Sequence, residues 1–78
     1  MLIEVTSDHI KNGKRLESDC CPIALALKDS GWTYARVGSE WVEVDNLCFT
    51  LPRSAKRFVS SVDSGRPVKP FRFKLVTT

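Results

Sequence analysis

The run Trp32-Thr33-Tyr34-Ala35-Arg36-Val37-Gly38-Ser39-Glu40-Trp41-Val42-Glu43-Val44 decides the fold class. Both halves are rich in β-branched and aromatic residues and Gly38-Ser39 between them is turn chemistry, so the run reads as a β-hairpin with strands over 32–37 and 40–44. Past it, Asp45-Asn46 offers another turn. Leu47, Phe49 and Leu51 then alternate with Cys48 and Thr50, which bends the sheet or adds a strand before Pro52 closes it.

On the N-terminal side of the hairpin lies the best-marked helix, Cys20 to Ser30. Ser18 or Asp19 is placed to cap it, Pro22 falls in the first turn, where a missing N–H is tolerated, and Gly31 stops it. Cys20, Ile23, Ala24 and Leu27 fall at i, i+3, i+4 and i+7, one apolar stripe, and Leu25 widens it. Further upstream, Ile3 and Val5 alternate with Glu4 as in a half-buried strand over 2–6. A short helical turn through His9, Ile10 and Lys11 follows, capped by Ser7 or Asp8 and stopped by positive-φ residues at Asn12-Gly13. Lys14 to Glu17 reads as exposed loop.

On the C-terminal side, Ala55, Phe58, Val59 and Val62 repeat the helical stripe, with Arg53, Lys56, Arg57, Ser60 and Ser61 opposite, and Ser64-Gly65 ends the helix. Pro67 and Pro70 keep the next segment extended. Phe71, Phe73 and Leu75 then alternate with Arg72, Lys74 and Val76, giving a last strand with one apolar and one basic face.

The order β-turn-α-β-β-α-β predicts an α+β fold: a small, mostly antiparallel sheet of three to five strands with two helices packed on one face. The terminal strands are expected in the middle of the sheet or beside one another. With 78 residues there is room for one core, so residues 1–78 form a single domain. A chain of this size hides only about 60–65% of its unfolded surface, and a deep substrate cleft would compete with the core for side chains. No run of about 18 apolar residues occurs, and the N-terminal residues lack the basic and apolar regions of a secretion signal. Three cysteines, two of them adjacent, make a poor disulfide framework, so free thiols in a reducing, cytoplasmic setting are expected.

No catalytic motif is present, and the glycines stand singly at element ends rather than in a phosphate-cradling loop. Cys20, Cys21, Cys48 and His9 are the only set resembling metal ligands. Adjacent cysteines splay apart where a zinc site wants C-x₂₋₄-C, so the expected reading is Cys20 as a small core residue on the helix stripe, Cys21 near the rim and Cys48 in a strand. A thiol of Cys20 or Cys21 at a helix N-terminus is the one nucleophile argument, with His9 as the one base. The expectation is no enzyme, no cofactor and no metal.

Charge is uneven. Residues 1–52 carry five bases against eight acids, a net of −3, whereas residues 53–78 carry seven bases against one acid, a net of +6. Those seven, Arg53, Lys56, Arg57, Arg66, Lys69, Arg72 and Lys74, are the candidate binding residues. They fit an ordinary solvated surface with edge-strand protection, or a surface for an acidic protein patch or nucleic acid. Tyr34, Trp32 and Trp41 would stack on bases if exposed, although core positions are commoner for tryptophan.

Three segments, His9 to Gly13, Cys21 to Leu27 and Asp63 to Phe73, resemble a family of short uncharacterised phage and prophage proteins. The resemblance spans nearly the whole chain and carries no site residues. It implies an infected or lysogenic bacterial host, where such proteins inhibit or redirect host proteins. The expected function is a phage-type, non-enzymatic binding protein that inhibits a host defence system, anti-CRISPR-like, by docking on a host protein or nucleoprotein complex. The alternative is a small DNA- or RNA-binding protein using the basic C-terminal surface. A third reading is a structural or assembly role through sheet-edge pairing or dimerisation, and the chain is expected as a monomer or small homo-oligomer.

Overall fold

Proline at the first helical position restricts the residue before it to extended backbone, and this sets the start of the central helix. In the computed structural model, which describes residues 2–14 and 17–77, Cys21 has φ −71 and ψ 164. The helix therefore runs Pro22–Asp29, with Cys21 as its N-cap in place of Ser18 or Asp19, and the Cys21 Sγ accepts from the Ala24 N–H at 3.4 Å. Cys20 stands outside the helix. Ser30 caps the C-terminus, and Gly31 follows in the left-handed region at φ 112.

The elements in chain order are β1 (Leu2–Val5), α1 (Ser7–Asn12), α2 (Pro22–Asp29), β2 (Ala35–Val37), β3 (Trp41–Val44), β4 (Leu47–Thr50), α3 (Arg53–Asp63), β5 (Phe71–Lys74) and β6 (Val76–Thr77). The predicted α+β order holds, and the hairpin is β2–β3, paired antiparallel with Val37 opposite Val42. β4 pairs with β3 across Asp45-Asn46, and Asp45 takes φ 50 there while its carboxylate accepts the Tyr34 N–H. Trp32 to Tyr34 lie outside the strand. Trp32 is half-buried against the core, 6.4 Å from Phe49 between ring centroids.

The terminal strands are neighbours. β5 pairs antiparallel with β1, and β6, one residue further along, pairs with β4. There are thus two antiparallel sheets, β1-β5 and β2-β3-β4-β6, joined through the C-terminal run rather than one flat sheet. Side chains alternate along this run, with Phe73 and Leu75 buried and Arg72 and Lys74 exposed. Residue 77 is opposite buried Phe49 and residue 76 opposite exposed Thr50, so both sheets turn the same side to the core.

On that inner side, Ile3, Val5, Val42, Val44 and Leu51 are fully buried with Ile23 and Leu27 of α2, each contributing about 1.5–3 kcal/mol over exposure. α2 packs against β1, β2 and α1 together. Ala24 and Ala26 are buried as well, so its apolar arc is wider than the predicted stripe, and Ala26 rather than Leu25 widens it. α3 covers the inner side of β5: Ala55 and Phe58 are buried, and the Phe58 ring lies 4.7 Å from Phe71.

α1 is a helix of six residues rather than a bare turn. Its N-cap is Thr6, not Ser7 or Asp8, and His9 closes a capping box: the Thr6 hydroxyl accepts from the His9 N–H, and the Thr6 N–H donates to His9 Nδ1 at 3.0 Å. Gly13 is not in a positive-φ conformation; its φ is −72 and ψ 151. The reason for glycine is proximity, because a Cβ there would come within 2.6 Å of the Pro22 backbone nitrogen and ring.

Gly13→Ala forces α1 and the start of α2 apart against backbone and a rigid ring. We expect urea unfolding to report a loss of about 1–3 kcal/mol, with Ser54→Ala, exposed on α3, within about 0.5 kcal/mol of the wild type. An unchanged midpoint for Gly13→Ala would rule out this close approach.

Candidate interaction surfaces

Because β5 turns its apolar side toward α3, the seven candidate bases are divided between two sides of the molecule. On a helix, Arg53 and Arg57 fall on the face opposite Ala55 and Phe58, and both are exposed, with Lys56 half-buried on the flank. Ser60 shares this face, and Ser61 borders it. On β5, strand alternation sends Arg72 and Lys74 out through the side away from Phe73 and α3. Arg66 and Lys69 are exposed in the connector between α3 and β5. Among the described residues none of the seven has an ion-pair partner. They do not make one surface.

The outer side of the two sheets is a second candidate, which charge counting did not reveal. It presents Leu2 and Glu4 of β1, Arg72 and Lys74 of β5, Cys48 and Thr50 of β4, Trp41 and Glu43 of β3, and Arg36 of β2, with Tyr34 just before it. Glu43 is half-buried and the rest are exposed. Of the four large apolar residues exposed among the described residues, Leu2, Tyr34 and Trp41 belong to this side and Leu47 sits at the β3–β4 turn. The Trp41 indole lies over Gly38, where a Cβ would come within 2.5 Å of it. One ring face therefore rests on bare backbone while the residue stays 44% exposed. The period-2 alternation of the hairpin placed Trp41 and Glu43 on the side away from Val42 and Val44, and that signal was enough to find them.

The thiols and the histidine do not converge. Among the described residues no three of His, Cys, Asp and Glu gather as metal ligands. Cys21 is buried at the α2 N-cap, Cys20 half-buried, and Cys48 exposed on β4, all free. This reverses the sequence expectation that Cys20 is the core thiol and Cys21 the rim one. A cleft of about 230 Å³, bordered by Glu17, Ser18, Val37, Ser39 and Asp63, has Cys21 in its wall. Burial pushes the Cys21 thiol up, the N–H donated by Ala24 opposes this, and the Asp63 carboxylate adds to the rise. The helix N-terminus therefore does not activate it as a nucleophile.

His9 and Thr6 also form a triad-like trio with Asp29. His9 Nε2 meets Asp29 Oδ2 at 2.5 Å, and Thr6 Oγ1 is 3.1 Å from Nδ1. The ring nitrogen that would act as base, however, is already the acceptor for the Thr6 N–H, which leaves the proton on Nε2 for Asp29. In this arrangement the trio ties α1 to α2 and has no free lone pair for a substrate proton.

No protein-family model, curated protein or solved structure matches the chain. Both surfaces are therefore assigned from geometry alone. None of the described helices is long and apolar enough to cross a membrane.

Cys48 is expected to react first with a thiol-specific reagent, Cys20 more slowly, and Cys21 only on unfolding, read by mass spectrometry of labelled peptides; early labelling of Cys21 would contradict its burial. Cys21 also makes stability pH-dependent. Its folded value lies above its unfolded one, so its contribution is complete below about pH 8.5 and is lost as pH rises through the folded value. Urea midpoints of wild type should therefore fall at alkaline pH more steeply than those of Cys21→Ala.

Proposed function

We propose that this protein is a non-catalytic docking protein that lays the basic outer face of α3 on an anionic surface of a macromolecular partner. The observation that carries this reading is the α3 face itself. Arg53, Lys56 and Arg57 stand within about one turn, flanked by serine hydroxyls, with no ion-pair partner among the described residues. Unpaired cations held on a rigid helix meet carboxylates or phosphates without first breaking internal pairs. The core is also small, and the one histidine and the buried thiol are committed to capping and packing, which supports binding over catalysis.

The resemblance of the His9–Gly13, Cys21–Leu27 and Asp63–Phe73 segments to phage proteins supports a bacterial host protein or nucleoprotein complex as the partner. An anti-CRISPR-like inhibitor that occludes an effector surface is the most concrete form of that function. Nucleic acid alone is the weaker reading. The exposed aromatics, Trp41 and Tyr34, lie on the outer sheet side, where Arg36, Arg72 and Lys74 are interspersed with Glu4 and Glu43, and they are separated from the α3 cations, so stacking and the densest group of cations do not share one surface.

The test is a pull-down from bacterial host lysate, with and without nuclease, comparing wild type with Arg53→Glu/Arg57→Glu. A nuclease-resistant protein partner is expected, with affinity lowered about ten- to a hundredfold in the variant. Capture abolished by nuclease, with affinity for purified DNA or RNA falling steeply as salt rises, would replace this reading by nucleic-acid binding.

A further inference from the structure

We propose that Asn12–Gly13, where α1 ends beside α2, is a self-modification site: when α1 opens, the Asn12 side-chain amide is lost to the Gly13 main-chain nitrogen, and the chain gains an isoaspartyl residue that the junction cannot accommodate. The reaction uses none of the α3 cations, so it stands apart from the function proposed above.

Asn12 is the last residue of α1. It is exposed, and its side-chain amide makes no hydrogen bond among the described residues. The residue after it is glycine, which has no Cβ to hold the Asn12 side-chain carbonyl carbon away from the main-chain nitrogen. Glycine is dictated here by packing and not by backbone angles. A φ of −72 is open to any residue, and it is the Pro22 nitrogen and ring, 2.6 Å from where a Cβ would stand, that exclude the others. The close approach of α1 to α2 therefore creates the reactive pair. Asn46, the other asparagine of the chain, precedes Leu47, whose branched side chain obstructs the same approach.

The chemistry needs only water. The Gly13 nitrogen gives up its proton and bonds to the Asn12 side-chain carbonyl carbon. The bond from that carbon to the amide nitrogen breaks, ammonia leaves, and a five-membered succinimide closes. Water then opens the ring at one of its two carbonyls, giving aspartate, or isoaspartate with the main chain rerouted through the former side chain.

The fold governs both the rate and the consequence. The Gly13 N–H donates to the His9 carbonyl oxygen at 2.8 Å, and the nitrogen cannot lose its proton and turn toward Asn12 without breaking this bond. A helix of six residues has little stability of its own. What keeps α1 closed is the capping box of Thr6 and His9 together with the His9–Asp29 contact. On the other side of Gly13, the Lys14 N–H donates to the Cys20 carbonyl oxygen at 2.8 Å, so the main chain is pinned on both sides. An isoaspartyl linkage adds one main-chain atom at Asn12 and drives Gly13 against Pro22. It also leaves a carboxylate at the C-terminal end of α1, where the helix dipole disfavours negative charge. Ammonia has departed, so the loosening of α1 is one-way.

The test follows the peptides holding Asn12 and Asn46 by mass spectrometry while the full chain stands in mildly alkaline buffer, either folded or unfolded in guanidinium chloride. Asn12 should convert faster than Asn46 in the unfolded chain, and at least about tenfold more slowly in the folded chain than in the unfolded one. Thr6→Ala removes the cap and should speed conversion of the folded chain about fivefold while leaving the unfolded rate unchanged. Asp29→Asn, which weakens the other hold on His9, should act in the same sense, and circular dichroism shows that each variant is folded. The purified isoaspartyl chain should unfold at a lower urea midpoint than Asn12→Asp, which adds the charge without the extra main-chain atom. Equal rates in the folded and unfolded chain overturn the proposal, as does a folded rate indifferent to both variants, or an isoaspartyl chain as stable as Asn12→Asp.

Discussion

The structure depends on α2 being buried against both sheets at once. Ile23, Ala24, Ala26 and Leu27 cover an arc wide enough to meet β1 on one side and β2 on the other, and the two alanines let the backbones come close. A helix of eight residues has little intrinsic stability, so its persistence comes from this packing and from its ends. Both ends are well made. Pro22 presets the first turn, the Cys21 sulfur accepts an otherwise orphaned N–H, and Gly31 supplies the left-handed exit. His9 then ties α1 to the last turn of α2 through Asp29.

With α2 in the middle, the C-terminal run does the joining. One extended segment borders β1 through Phe71–Lys74 and β4 through Val76–Thr77, so the first and last parts of the chain are held together and the hairpin is added at the side. These contacts are distant in sequence, so closing them costs more chain entropy than forming the helices or the hairpin. Packing α3 against Phe71 gives β5 its direction, and with it the side on which Arg72 and Lys74 emerge.

The result is a molecule with two different exteriors. The α3 side is cationic and hydroxyl-rich, and the sheet side is aromatic with charges of both signs. Between them, polar groups of the α1–α2 region serve the fold: His9 closes a capping box, Cys21 caps α2, and Asp29 meets His9.

Local chemistry was legible without the fold. The hairpin, both amphipathic helices, the alternation in 71–75 and the α+β order follow from side-chain periodicity, which depends only on neighbours in sequence. Helix ends were less legible: competing caps lie within two or three residues of each other, and only backbone geometry shows that Pro22 makes Cys21 the cap and that Thr6 with His9 takes precedence over Ser7. The glycines show the same limit, since Gly13 and Gly38 are required by Pro22 and the Trp41 indole, neighbours across space. The number and identity of the C-terminal bases were plain in the sequence, but their division was not. Whether Arg53 and Lys74 share a surface depends on which side of β5 faces α3, and that was decided by the burial of Phe58 on Phe71. The sequence by itself determined which residues are apolar, charged or able to turn the chain, because these are properties of single residues and short periods. Only the tertiary structure decided which of them face the same way, because that is fixed by the packing of segments far apart in the chain.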